Sequence, residues 1–138
     1  MASTSVSRII PATSASVWDT IGGFGSLPDW LPYIPESTLL EGGRVRRLTD
    51  ADGSVIVERL VDFNEVERHY SYTILQAPFP VVGYVSTLRV HSVIGDDGIC
   101  EVQWSGRFTP EGATENEVVD LFAGIYRDGL DALYQALS

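Results

Sequence analysis

Tyr84-Val85-Ser86-Thr87-Leu88-Arg89-Val90-His91, a turn at Gly95-Asp96-Asp97-Gly98, and Glu101-Val102-Gln103-Trp104-Ser105-Gly106-Arg107-Phe108 decide the fold. Both flanking runs alternate with a period of two, the mark of a strand with one buried face. In the first run Tyr84, Ser86, Leu88 and Val90 oppose Val85, Thr87, Arg89 and His91. In the second, Val102, Trp104, Gly106 and Phe108 oppose Glu101, Gln103, Ser105 and Arg107. The first set of each run is expected inside, because a shift of one residue would turn every apolar side chain outward. Two such runs joined by a glycine-rich acidic turn predict an antiparallel hairpin, here with strands over 82–94 and 98–109.

The same period runs back to residue 36. It predicts strands over about 37–42, 43–49, 54–63 and 68–76, with Asp50-Ala51-Asp52-Gly53 as a turn between two of them. Ser5–Ile10 reads as a first strand ending at Pro11. Thr13 and Ser14 can cap a short helix over roughly 14–22, and Gly22-Gly23 ends it. A second short helix is expected over 24–31, stopped by Pro32. The last segment is helical: Thr114 and Glu117 have capping-box spacing, and Val118, Phe122, Ile125, Leu133 and Leu137 recur near a period of 3.6. Roughly two dozen residues make a helix of about 35 Å, long enough to cross a sheet from edge to edge. Gly124 and Gly129 inside it are read as points of close packing against strands, the other reading being that they open space for a ligand. With no strand–helix alternation, the expected class is α+β: a curved antiparallel sheet of about seven strands around a long C-terminal helix, in one domain over 1–138.

Composition narrows the function. A length of 138 residues suits one domain with a sizeable core, and an apolar fraction of 44% is that of a globular chain. A net charge of −10 argues against nucleic acid and anionic membranes as partners. No apolar run is long enough to span a bilayer, no signal sequence is recognised at the start, and Cys100 has no partner for a disulfide, so a cytoplasmic location is expected. All nine basic residues are arginine. The absence of lysine excludes a Schiff-base mechanism, an anchored pyridoxal phosphate and a P-loop. His69 and His91 share no inward set, which argues against a metal centre. No nucleophile elbow or dinucleotide fingerprint is present, and no cofactor is expected.

Two inward sets carry charge. Arg44, Arg46 and Leu48 group on one strand, and Ile56, Glu58 and Leu60 on the next. If the turn at 50–53 pairs Leu48 with Ile56, Arg46 stands directly opposite Glu58 on the concave face. Buried charges must be matched or put to use. Tyr72, Tyr84 and Trp104 bring polar tips to the same face. Apolar walls with a few convergent polar groups describe a small-molecule site. An ion pair at a sheet rim and plain core tyrosines remain the competing reading.

Trp18, the run Phe24–Pro32, Gly43-Arg44-Val45-Arg46, Glu58-Arg59-Leu60, Tyr70-Ser71-Tyr72, the two runs quoted first and the final helix together resemble the polyketide cyclase/dehydrase and lipid-transport family. That family falls within the Bet v 1-like, START-like superfamily, and the resemblance covers nearly the whole chain. It implies a helix-grip fold with two short helices after the first strand. Its members include cyclases, ligand carriers and receptors. The chain is also similar to the plant lachrymatory-factor synthases, which isomerise a small sulfenic acid. That resemblance implies catalytic roles for Arg46 and Glu58 and pocket positions for Tyr72, Tyr84 and Trp104. Val82 stands where a second pocket tryptophan is expected.

The pair suits proton transfer. Burial raises the pKa of a glutamate and a nearby arginine opposes the rise, so Glu58 is expected to serve as a general acid or base. Arg46 is expected to hold an oxyanion or a carboxylate through two N–H groups. The expected function is binding of a small hydrophobic or polyketide-like ligand and its isomerisation, cyclisation with loss of water, or hydration. The expected lining is Trp30, Tyr70, Tyr72, Tyr84, Leu88, Trp104, Phe108 and Phe122. The alternatives are a non-catalytic carrier or sensor, with Arg46 anchoring an acidic group, and an oligomerising domain with a filled core. A homodimer is left open. Ala77-Pro78-Phe79-Pro80 and Phe24–Pro35 are the candidate entrance loops.

Overall fold

Alternation in the sequence becomes seven strands in a computed structural model that describes residues 1–138. The chain runs β1 (Ala2–Ile10), α1 (Ser14–Ile21), α2 (Leu27–Trp30), β2 (Glu36–Leu40), a single 3-10 turn (Glu41–Gly43), β3 (Val45–Thr49), β4 (Val55–Asn64), β5 (His69–Gln76), β6 (Val81–Val93), β7 (Asp96–Pro110) and α3 (Glu115–Leu137). All pairings are antiparallel, in the order β1-β7-β6-β5-β4-β3-β2. From β2 to β7 the chain is a meander, and β1 closes onto β7. The result is the helix-grip fold, a curved sheet with α3 in its grasp and two short helices bridging β1 to β2.

The predicted faces hold in the β6–β7 hairpin: Tyr84, Ser86, Leu88, Val90, Val102, Trp104 and Phe108 are all buried. Its turn is tighter than expected. Val93 pairs with Asp96, so only Ile94 and Gly95 connect the strands, and Gly95 takes a φ of 86° that suits glycine. Two further boundaries differ. Glu41–Arg44 leaves the ladder, because Glu41, Gly42 and Gly43 have positive φ. Strand β3 therefore starts at Val45, and Arg44 is exposed rather than inward. Helix α2 is one turn long, entered through Pro28 and halted before Pro32.

Curvature has local causes. The β4–β5 register slips between Val57 and Glu58 and again between Leu60 and Asp62. Such bulges bend the bulged strand and sharpen its twist. The first slip leaves Leu75 of β5 as the extra residue beside Glu58, and the second leaves Val61 of β4.

Helix α3 begins at the predicted capping box, with Thr114 and Glu117 bonded reciprocally. It packs on β1 and β7, where Arg8 of β1 pairs with Asp131 and lies over the Tyr134 ring. Docking at that end leaves the concave face of β3 and β4 less covered, and the space opens there. Gly129 is a true close approach: an added Cβ would lie 2.5 Å from the Trp104 ring and 2.8 Å from the Tyr33 hydroxyl. At Gly124 it would meet only the end of Arg127, at 3.6 Å. Gly129→Ala is expected to destabilise by about 1–2 kcal/mol, overpacking outweighing the helical preference for alanine. Gly124→Ala is expected to be neutral or stabilising by up to about 1 kcal/mol. Urea unfolding of both variants checks the contrast; equal shifts would contradict it.

Candidate functional site

Between the sheet and α3 lies a cavity of about 250 Å³, lined by 19 residues of which 15 are hydrophobic. Strands β3 and β4 supply Arg46, Leu48, Ile56 and Glu58, and β5 supplies Tyr72 and Ile74. Tyr84, Trp104, Phe122, Ile125 and Tyr126 form the opposite wall. The rim is made by Tyr33 and Ile34, by Phe79, and by Asp50, Ala51 and Asp52 of the β3–β4 turn. Ala51 and Asp52 are exposed and Tyr33, Asp50, Phe79 and Ile125 partly so, which puts the opening among them. Both loops expected at the entrance contribute, and the acidic turn is a third.

Register places the charged pair. Leu48 pairs with Ile56 and Arg46 with Glu58, and Glu58 lies opposite Ile74 on its other side. Arg46 is 1% exposed and Glu58 6%. Arg46 Nε donates to Glu58 Oε1 at 2.8 Å, and Nη2 lies 2.7 Å from the same oxygen. Nη1 donates to the Phe24 carbonyl at 3.1 Å and to the Tyr70 hydroxyl at 3.2 Å. The guanidinium lies over the rings of Phe24 at 4.2 Å and Tyr72 at 4.6 Å. Only one Nη2 hydrogen is left without a partner. On the other side of the pair, Oε2 of Glu58 accepts no hydrogen bond.

Burial raises the Glu58 pKa above its ordinary 4.5, and the adjoining Arg46 charge offsets this only in part. For Arg46, burial works against the charge, but Tyr70, Glu58 and Tyr72 outweigh it, and the group stays protonated.

The opposite wall is a network of neutral donors. Trp104 Nε1 donates to the Tyr72 hydroxyl at 3.2 Å and to Ser86 Oγ at 3.1 Å, and Ser86 Oγ donates to the Ser105 carbonyl at 2.8 Å. The Tyr84 and Tyr126 hydroxyls bond each other. Tyr126 reaches this position because residue 106 is glycine: a Cβ there would collide with its hydroxyl. Desolvation raises Tyr72 and Tyr84 well above the usual tyrosine value and pushes Tyr126 up to about 12. All three are therefore O–H donors across the neutral range.

Of the residues expected to line the site, Arg46, Glu58, Tyr72, Tyr84, Trp104 and Phe122 do so. Trp30, Tyr70, Leu88 and Phe108 are buried but lie outside the cavity wall. Tyr70 is walled off by Trp18 and Phe24, and its hydroxyl is taken by Arg46. Leu88 pairs across the sheet with Tyr70 and Trp104, in the packed part of the concave face. Phe108 stacks on Tyr84 and meets Phe122. Trp30 sits against Trp104 from outside, with its Nε1 unpartnered. Tyr33, Ile125, Tyr126, Asp50 and Asp52 were not expected in the lining. Ile125 had a signal, its place on the apolar stripe of the final helix.

His69 and His91 stand on the outer face of the sheet, and no group of three His, Cys, Asp or Glu side chains is close enough to hold a metal ion. No helix is long and apolar enough to cross a membrane.

The cavity, the helix grip and the sheet order match one family. The model described as polyketide cyclase/dehydrase and lipid transport covers residues 1–138. The chain belongs to this family. The protein XoxI from Bacillus cereus is 52% identical, with a TM-score of 0.96 over 99% of this chain and 96% of that one. A structure from Thermobifida fusca is 29% identical, with a TM-score of 0.84 over 97% and 91%. The Zhui aromatase/cyclase from Streptomyces sp. R1128 is 18% identical, with a TM-score of 0.75 over 98% and 90%, and shows the shared fold. A search of curated proteins finds no match.

Proposed function

We propose that this family member binds a small, mostly apolar metabolite in the cavity and catalyses proton transfer on it. The observation that carries the reading is the asymmetry of Glu58. One carboxylate oxygen is pinned by Arg46, while the other, in a side chain that lines the cavity, has no hydrogen-bond partner. The free oxygen is not sealed inside protein but is accessible from the cavity, so it can act on whatever the cavity holds.

Glu58 Oε2 takes the proton from a carbon next to a carbonyl: the C–H bond breaks, an O–H bond forms, and the electron pair moves onto the carbonyl oxygen. That oxygen is met by the O–H of Tyr72, whose hydroxyl reaches across to Trp104, or by the Tyr84–Tyr126 pair on the far wall. Return of the proton to a different atom completes an isomerisation; its transfer to a departing hydroxyl completes a dehydration. Arg46 acts on Glu58 rather than on substrate. All but one of its N–H groups are spent on the protein, and it is a positioning residue that sets the carboxylate's direction and charge.

The test is hydrogen–deuterium exchange at the α-carbons of indan-2-one in deuterium oxide, followed by NMR. The protein is expected to accelerate exchange. Because the carboxylate form is the base and its pKa is raised, the rate is expected to climb with pH through an inflection above 4.5. No acceleration over buffer, or an inflection at or below the ordinary value, would count against Glu58 as the base.

A further inference from the structure

We propose that the cavity accepts uncharged ligands and rejects carboxylates, although an arginine lies in its wall. The polar end of the ligand is a carbonyl or hydroxyl group, which rests on the proton-transfer reading above; the charge selectivity does not depend on it.

An arginine in an apolar pocket ordinarily marks an anion site. Here that capacity is used up inside the protein. Glu58 cancels the charge at 2.7 Å, the Phe24 carbonyl and Tyr70 hydroxyl take Nη1, and aromatic rings cover the guanidinium faces. An entering carboxylate would find one free Nη2 hydrogen beside a carboxylate already in place. It would lose its water with no uncompensated cation to receive it, and desolvation of an unpaired charge is the larger effect in a cavity this apolar.

The approach has the same sign. The cavity lining holds one guanidinium against three carboxyl groups, Asp50, Asp52 and Glu58. Asp50 and Asp52 stand at the rim, their turn held by Asp50 Oδ1 accepting from the amides of Asp52 and Ser54 at 2.9 Å. The whole chain carries −10. An acid is thus repelled before entry and unmatched after it, whereas a ketone or alcohol of the same skeleton meets hydroxyl donors.

The experiment compares indan-2-one with indane-2-carboxylate, matched in skeleton, by ligand-observed NMR and tryptophan fluorescence. The ketone is expected to bind at least about tenfold more tightly, a difference of about 1.4 kcal/mol. In Glu58→Gln, Arg46 loses its counter-charge, and the carboxylate is expected to gain roughly tenfold while the ketone changes little. Equal or tighter binding of the carboxylate by the wild type, no gain in Glu58→Gln, or binding of neither compound at millimolar concentration would overturn the proposal. The two readings fail separately. A ketone that binds preferentially but does not exchange removes the proton-transfer function and leaves the selectivity. A carboxylate that binds equally well while the ketone still exchanges does the reverse.

Discussion

Arg46→Met is expected to cost about 3–5 kcal/mol of stability near neutral pH, the largest loss from any single substitution at the site. The change removes the only cation within reach of Glu58 and leaves the Phe24 carbonyl and the Tyr70 hydroxyl without their donor. Methionine fills similar space, so the loss is electrostatic rather than a cavity effect. The pH dependence gives the signature. The Glu58 pKa is already raised by burial, and removing Arg46 removes the influence that lowers it. A folded-state pKa above the unfolded one means that the folded protein binds the extra proton. Stability is then fully present below the unfolded value and is lost as pH rises through the folded one. The Arg46→Met variant is therefore expected to be closest to wild type near about pH 5 and to fall away towards about pH 8, more steeply than wild type does. Adding Glu58→Leu is expected to restore most of the loss, because an apolar pair of similar volume needs no neutralisation. Urea unfolding at the two pH values measures both effects. A single variant within 1 kcal/mol of wild type at the higher pH would show that the ion pair does not hold the carboxylate in place.

The register that creates this pair was legible because strands have a short and strict period. Once the turn at residues 50–53 sets Leu48 against Ile56, no freedom remains, and Arg46 faces Glu58. The same logic placed Tyr72, Tyr84 and Trp104 on the concave face. Alternation, however, reports only inward or outward. It does not separate the part of a concave face that packs solid from the part that stays hollow. Leu88, Tyr70 and Phe108 share the periodicity of the lining residues yet lie buried outside the cavity wall. That difference is set by where α3 docks, on β1 and β7, and a helical period fixes a face without fixing a position. Ile125 and Tyr126 enter the wall for this reason. Tyr33, Asp50 and Asp52 lie in loops, where no period exists to be read. The tight Ile94-Gly95 hairpin escaped because four turn-forming residues follow one another, and three of them, Asp96, Asp97 and Gly98, already belong to β7.

Glu58→Gln tests the chemistry as Arg46→Met tests the architecture. The amide keeps the shape of the side chain and an oxygen that can still accept from Arg46 Nε, now at 2.8 Å from the carboxylate. It cannot take a proton in the working pH range. Loss of a positioned general base typically removes 10²–10⁴-fold, and the indan-2-one exchange rate is expected to fall by about that factor. Affinity for the ketone is expected to change by no more than several-fold, because the ligand is held by an apolar wall and by hydroxyls on the opposite side. Glu58→Asp separates charge from place. It retains the base but draws the carboxylate back by a methylene, and a displacement of about 1 Å at a reacting atom can cost roughly 10²-fold. An intermediate rate for the aspartate, with its pH inflection retained, would mark Glu58 as the group that moves the proton. Parallel loss of ketone affinity and exchange in Glu58→Gln would instead make the pair a structural brace, leaving the cavity as a carrier's binding site.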